Sequence, residues 1–268
     1  MTDAVVTKPG VTEAAPMYGI LITGAGSGIG AGIALALAES GHHAIVSDVN
    51  LDAAQEVAHE ISAKGGASEA VALDVTSDES VQAALSALSR PVDVLVNNAG
   101  LQHVAPLEQF PIDKWNYLIQ VMLTGVARLT GAVLPAMRER RFGRIINIGS
   151  IHSQVGSPYK SAYVAAKHGL VGFAKAIALE TANTDITINT ICPSYVKTPL
   201  VEQQIAAQAR TQGIPESEVI DRVMLEPMPK RAFISLDELA GISLFLLSPA
   251  ARNITGQTIV VDGGWTVR

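Results

Sequence analysis

From Tyr18 onward, short apolar runs rich in β-branched residues alternate with longer stretches that suit helices. The runs YGILIT (18–23), HAIVSD (43–48), EAVALDV (69–75), VDVLVN (92–97), RIINIG (144–149), ITINTI (186–191) and QTIVVD (257–262) read as strands. Helical stretches lie between them, near 28–40, 51–63, 78–88, 113–140, 161–182 and 236–247. Strands alternating with helices predict crossover connections and an α/β fold, a parallel sheet with helices on both faces. The strand runs are nearly continuous in apolar residues, as strands covered on both sides must be.

No internal repeat or low-complexity linker interrupts this alternation, so residues 18–268 are expected to form a single domain. One segment departs from it. Residues 198–231, TPLVEQQIAAQARTQGIPESEVIDRVMLEPMPKR, are long and polar, with three further prolines after Pro199. Insertions of this kind between core elements are often lids, and a substrate lid is expected here. Residues 1–17 have neither periodicity nor a basic stretch leading into an apolar run. They are expected to be a flexible tail rather than a secretory signal. No apolar run approaches bilayer-spanning length, so a cytoplasmic protein with no membrane partner is expected.

TGAGSGIG (23–30) follows the first strand and opens the first helix. Glycines there permit a tight turn and the close approach of a pyrophosphate, which rests on the helix N-terminus. The spacing of Gly24, Gly28 and Gly30 is GxxxGxG, and a structural turn alone could account for it. Asp48 strengthens the dinucleotide reading: it ends the second strand, where a carboxylate hydrogen-bonds an adenosine ribose hydroxyl pair. It also chooses between cofactors. A 2′-phosphate would be repelled by Asp48, and no lysine or arginine stands between Lys8 and Lys64 to offset that. His42 and His43 are mostly neutral at pH 7. NAD rather than NADP is expected.

YKSAYVAAK (159–167) places Tyr163 four residues before Lys167 in an alanine-rich helix. Residues i and i+4 share a helix face, so the two side chains should meet. The pair could be a surface contact, the lysine stem covering the ring. It could instead be catalytic, the ammonium lowering the phenol pKa and making Tyr163 a usable acid or base.

Composition narrows the partners. With 48% hydrophobic and 16% charged residues the chain suits a globular protein with a substantial core, and its net charge of -6 argues against nucleic acid or an anionic membrane. The single cysteine, Cys192, excludes an intrachain disulfide and reads as a small buried hydrophobe in TINTIC. The six histidines do not cluster with carboxylates at ligand spacing, so no metal is expected.

The glycine loop, NNAG (97–100), Ser150 and the Tyr163/Lys167 pair, in this order and spacing, resemble the short-chain dehydrogenase/reductase family. The resemblance covers the chain from Tyr18 onward. It implies a Rossmann-type, doubly wound sheet of seven parallel strands and hydride transfer to or from nicotinamide. It further implies a homotetramer built through the two long helices, 113–140 and 161–182. By position, Tyr163 is the general acid/base, Ser150 hydrogen-bonds the reacting oxygen, and Lys167 binds the nicotinamide ribose and lowers the tyrosine pKa. Ser27 and Ile29 belong to the phosphate loop with its glycines. Asp74 and Val75 should flank adenine, Asn98, Ala99 and Gly100 the adjoining ribose, and Pro193, Val196 and Thr198 the nicotinamide end.

Within the family, NNAGLQH, FGRIINIGSIHS, KSAYVAAKHG, TPLVEQQI and VDGGWTVR resemble the group that oxidises D-3-hydroxybutyrate. The group implies that Gln102, His152, Lys160 and Gln204 hold a substrate carboxylate. One cation offsets the desolvation of that anion, and amide and imidazole donors orient it. Three positions depart from pattern. Met122 stands where the family places an asparagine that helps hold a relay water, and a thioether cannot donate a hydrogen bond. Ser194 replaces the glycine of a usual Pro-Gly, and Tyr195, a pocket wall, stands where the group often has tryptophan. Another 3-oxo or secondary alcohol substrate, or an NAD-binding sensor without turnover, remain as alternatives.

Overall fold

The computed structural model describes residues 17–267, leaving aside the side chains of residues 199, 200, 203, 204, 207, 211 and 212. The expected tail lies, apart from Met17, outside the described residues. Seven strands form one parallel sheet in the order β3-β2-β1-β4-β5-β6-β7. They are β1 (Gly19–Thr23), β2 (His43–Asp48), β3 (Ala67–Ala72), β4 (Val94–Asn97), β5 (Phe142–Ile148), β6 (Asp185–Pro193) and β7 (Thr258–Val261). The order reverses between β1 and β4, which opens a crevice at the C-terminal ends of the strands. This is the doubly wound α/β sheet read from the alternation.

The two-residue period of the strands sends alternate side chains to opposite faces. On one face Ile20, Ile22, Val94 and Val96 pack with helices α1 (Gly28–Glu39), α2 (Leu51–Ala63) and α9 (Leu236–Leu247). On the other, Leu21, Ile45 and Leu95 meet α3 (Asp78–Ala87), α4 (Ile112–Ile119), α5 (Gly125–Arg140) and α6 (Ser161–Glu180). Fully burying each such Leu, Ile or Val contributes about 1.5–3 kcal/mol. Helix starts are capped locally: Asn50 accepts from Ala53 N, Ser77 from Ser80 N, and Ser235 and Glu238 form a capping box.

Three boundaries differ from the sequence reading. The third strand ends at Ala72, since the Asp74 carboxylate accepts from Thr76 N at 2.8 Å and Thr76 Oγ1 at 2.7 Å, turning the chain. The helix expected over 113–140 runs unbroken from Ile112 to Arg140 but passes through a π turn, Gln120–Thr124, between α4 and α5. Residues 198–231 fold as α7 (Pro199–Gln212), α8 (Glu216–Glu218) and a π turn, Val219–Leu225. Val201, Ile205, Val219, Met224 and Met228 bury their side chains in the core, so this polar-looking segment is packed along one side.

One expectation about apolar length is corrected. Ile112–Arg140 is 29 residues long and apolar enough, by length and composition, to cross a membrane. Its apolarity serves packing here: Leu118, Leu129, Val133 and Met137 lie in the core beneath the sheet.

Candidate active site at the C-terminal edge of the sheet

A cavity of about 450 Å³ occupies the crevice. The loop between β1 and α1 forms its floor. Gly24 and Gly28 sit at φ +61° and +59°, and a Cβ on Gly24 would come within 2.8 Å of Ala99 Cα. Only glycine allows both the left-handed backbone and that approach. Asn98 fastens the loop from the far side: its Nδ2 donates to Thr23 O at 2.9 Å and Gly24 O at 3.0 Å. Asp48 closes one end of the cavity. Its Oδ2 accepts from Gly26 N at 3.1 Å and its Oδ1 from Asn50 N at 3.0 Å, fixing the carboxylate at the cavity wall.

Gly24, Ser27, Gly28, Ile29, Asp48, Asp74, Val75, Asn98, Ala99, Gly100, Tyr163, Lys167 and Thr198 all line this cavity. Pro193 and Val196 do not; they line the smaller chamber described below. Gly30 lines neither, because its bare Cα is covered by Asn98, whose Nδ2 would stand 2.5 Å from a Cβ. Val49, Leu73, Leu101, Tyr117, Val121 and Ile148 complete the wall. Sequence reasoning missed them: Val49, Leu73, Leu101 and Ile148 lie at or just after strand ends, Tyr117 on α4 and Val121 in the π turn after it, and an apolar side chain carries no chemical signal of its own there.

Ser150 follows β5 and starts a short 3-10 turn, its hydroxyl accepting from His152 N at 3.1 Å and its N–H donating to Ser153 Oγ at 3.2 Å. Tyr163 and Lys167 lie one turn apart on α6. The Lys167 Nζ donates to Ile148 O at 2.6 Å and stands 5.6 Å from the centre of the Tyr163 ring. Burial pushes the Tyr163 phenol up, and the Ser150 hydroxyl beside it works in the opposite direction. The Lys167 ammonium, expected to lower this phenol, is held at the strand carbonyl, and burial holds Lys167 itself down at about 8. Met122 is buried in the π turn and lines neither cavity.

Tyr163 also lines a second chamber, of about 80 Å³, with Gln102, Ser150, His152, Lys160 and Tyr195. Tertiary packing thus brings together every expected substrate residue except Gln204, whose side chain lies outside the described residues. Lys160, at the N-cap of α6, is only 3% exposed. Burial holds its ammonium down at about 8, and its Nζ lies 5.7 Å from the centre of the Tyr195 ring. Among the described residues no carboxylate pairs with it. Tyr195 stacks on Trp265 at 6.1 Å, and burial pushes its phenol up to about 12. His152 is buried, and burial together with the Lys160 charge lowers it to about 4. Ser194 lies in the bend just after β6, its N–H donating to Val261 O at 2.9 Å.

Residues 19–209 match the short chain dehydrogenase family. The chain belongs to that family. Two relatives are named D-beta-hydroxybutyrate dehydrogenase. That of Cupriavidus necator is 44% identical, covering 92% of this chain and 97% of its own. That of Rhizobium meliloti is 41% identical, covering 92% and 98%. A solved structure of a variant actinorhodin polyketide ketoreductase with NADPH superposes with a TM-score of 0.89 at 34% identity, covering 93% of this chain and 97% of that one. The short-chain dehydrogenase fold thus accounts for the large cavity as a nicotinamide cofactor site. The residues present fit such a group: a positive-φ glycine loop before a helix N-terminus, and a carboxylate at the far wall.

Proposed function

We propose that this short-chain dehydrogenase uses NAD to oxidise (R)-3-hydroxybutyrate reversibly to acetoacetate. The observation that carries the reading is Lys160: a buried cation with no carboxylate partner among the described residues, in the same small chamber as Ser150 and Tyr163. Burying an unpaired ammonium is costly, and an anionic substrate would offset that cost. Lys160 would hold the carboxylate, with Gln102 beside it, while Tyr163 and Ser150 face the C3 hydroxyl. In oxidation Tyr163 takes the hydroxyl proton, and the Ser150 hydroxyl donates to the developing alkoxide. When bound, NAD supplies the acceptor for the C3 hydride. The residues that would hold it are the 24–30 loop, Asp48, Asn98 to Gly100 and Lys167.

Asp48 supports NAD over NADP. Lys167 is the one lysine or arginine among the described lining residues, and it lies at the Ile148 and Tyr163 end. The reading includes a cytoplasmic homotetramer joined through the long helices, supported by the exposed apolar side chains of Ile112, Tyr117 and Leu179 on them. A second reading, a longer 3-hydroxy acid, is favoured by an outer cavity of about 410 Å³ that shares Lys160 and Tyr195.

The test is NADH formation with both enantiomers of 3-hydroxybutyrate, longer 3-hydroxy acids and 2-butanol. The (R)-acid should be the best substrate. Faster turnover of the neutral alcohol would overturn the reading.

A further inference from the structure

The His152 ring is fixed with the wrong nitrogen toward an anion. Its Nδ1 stands 3.3 Å from Val155 O, and a carbonyl can only accept, so Nδ1 carries the hydrogen. In the neutral ring Nε2 is then a bare lone pair. That Nε2 is buried and has no hydrogen-bond partner among the described residues. The ring cannot simply turn over to present an N–H: flipping would forfeit the Val155 contact. It is also wedged edge-on between Tyr163, at 6.2 Å, and Trp265, at 6.1 Å.

The groups facing His152 offer no remedy. From α6 come Lys160, Tyr163 and the more distant His168; from its own turn, the Ser150 hydroxyl; from the C-terminal segment, the Trp265 indole backed by Tyr195. Among these described groups there is no carboxylate. A substrate carboxylate entering the chamber would meet an ammonium at Lys160 and a lone pair at His152. The lone pair repels it, and moving the ring's own hydrogen to Nε2 would set the Nδ1 lone pair against Val155 O, so a donor at Nε2 that keeps this contact needs an added proton.

We infer that binding of a carboxylate in this chamber takes up one proton from solution, onto His152 Nε2, so that the ring becomes a donor to the anion. The inference rests on the hydroxy-acid reading above. Before binding, burial and the Lys160 charge keep the ring neutral at physiological pH. An anion placed against Nε2 favours the protonated form, and by linkage the proton favours the anion equally.

Titration calorimetry with butyrate, which has the carboxylate but no reacting hydroxyl, tests this on the NAD-saturated protein. At pH 6.5 the binding heat is measured in buffers of different ionisation enthalpy, whose slope counts protons. The expected result is uptake of a substantial fraction of one proton, with affinity falling by up to tenfold per pH unit as pH rises. His152→Gln, whose amide donates without titrating, should bind butyrate with a slope near zero. Lys160→Arg, which keeps a fixed charge, should retain the uptake. Buffer-independent heat in the unmodified protein, which needs no variant, would overturn the inference, as would full uptake by His152→Gln. No butyrate binding at all would instead overturn the hydroxy-acid reading, and this inference with it.

Discussion

The Lys160 ammonium lies 5.7 Å from the centre of the Tyr195 ring, and the ring is itself stacked on Trp265. A cation over an aromatic face gains about 0.5–2 kcal/mol. That offsets part of the cost of burying the charge while leaving the ammonium's donors available to a ligand. The wall of the chamber therefore keeps Lys160 in place without neutralising it.

Lys160→Ala should cut kcat/KM for 3-hydroxybutyrate about 10- to 150-fold, the equivalent of a charged hydrogen bond of about 1.5–3 kcal/mol. Most of the loss should fall in KM, and any activity on 2-butanol should barely change. In the unmodified enzyme KM should climb as pH rises through about 8, where buried Lys160 loses its proton. Unchanged hydroxybutyrate kinetics in the variant would remove the carboxylate clamp.

Stability should carry the opposite signature. Lys160 titrates near 8 in the folded chain against an ordinary value of 10.5, so the folded state binds fewer protons than the unfolded between those limits. Stability contributed by this group thus rises with pH across that window, by up to about 3 kcal/mol. Lys160→Met should melt higher than the unmodified protein at pH 7, with the gap closing towards pH 10. A variant less stable at every pH would mean that the charge supports the fold.

Asp48 predicts cofactor choice. NAD should be used far better than NADP, and Asp48→Ala should erode that preference without creating strong NADP binding. Equal kcat/KM with both cofactors in the unmodified protein would count decisively against the role given to this carboxylate.

Tyr163→Phe should keep the fold and NAD binding and lose about 10²–10⁴-fold in rate, the range for a general acid/base. Because burial raises the phenol, oxidation, which needs the phenolate, should accelerate with rising pH, whereas reduction should not. Near-normal turnover of the phenylalanine variant would place proton transfer elsewhere.

Residues 198–231 should behave as a lid. Their apolar side is packed into the core through Val201, Ile205 and Met224, yet Thr198 and Val201 also line the substrate chamber. Limited proteolysis within the segment should slow when NAD and substrate are both present. Cleavage indifferent to ligands would indicate a static cover.

What consecutive residues encode was legible from the chain alone. The apolar strand runs matched all seven strands to within three residues at each end, because a doubly covered strand must be apolar along its length. The Tyr163/Lys167 face and the 24–30 glycine loop were equally local, one set by helix periodicity and the other by a backbone that only glycine adopts. Contacts between distant residues were not legible. Lys167 spends its hydrogen bond on Ile148, 19 residues away, and Asn98 clamps Thr23 and Gly24 across more than 70 positions. The sequence named Lys160 and His152 but could not say that one is a buried cation with no carboxylate partner among the described residues and the other a buried lone pair. Charge state and donor direction depend on which groups surround a side chain in space, and only the packing of α6, the β5 turn and the C-terminal Trp265 against one another decides that.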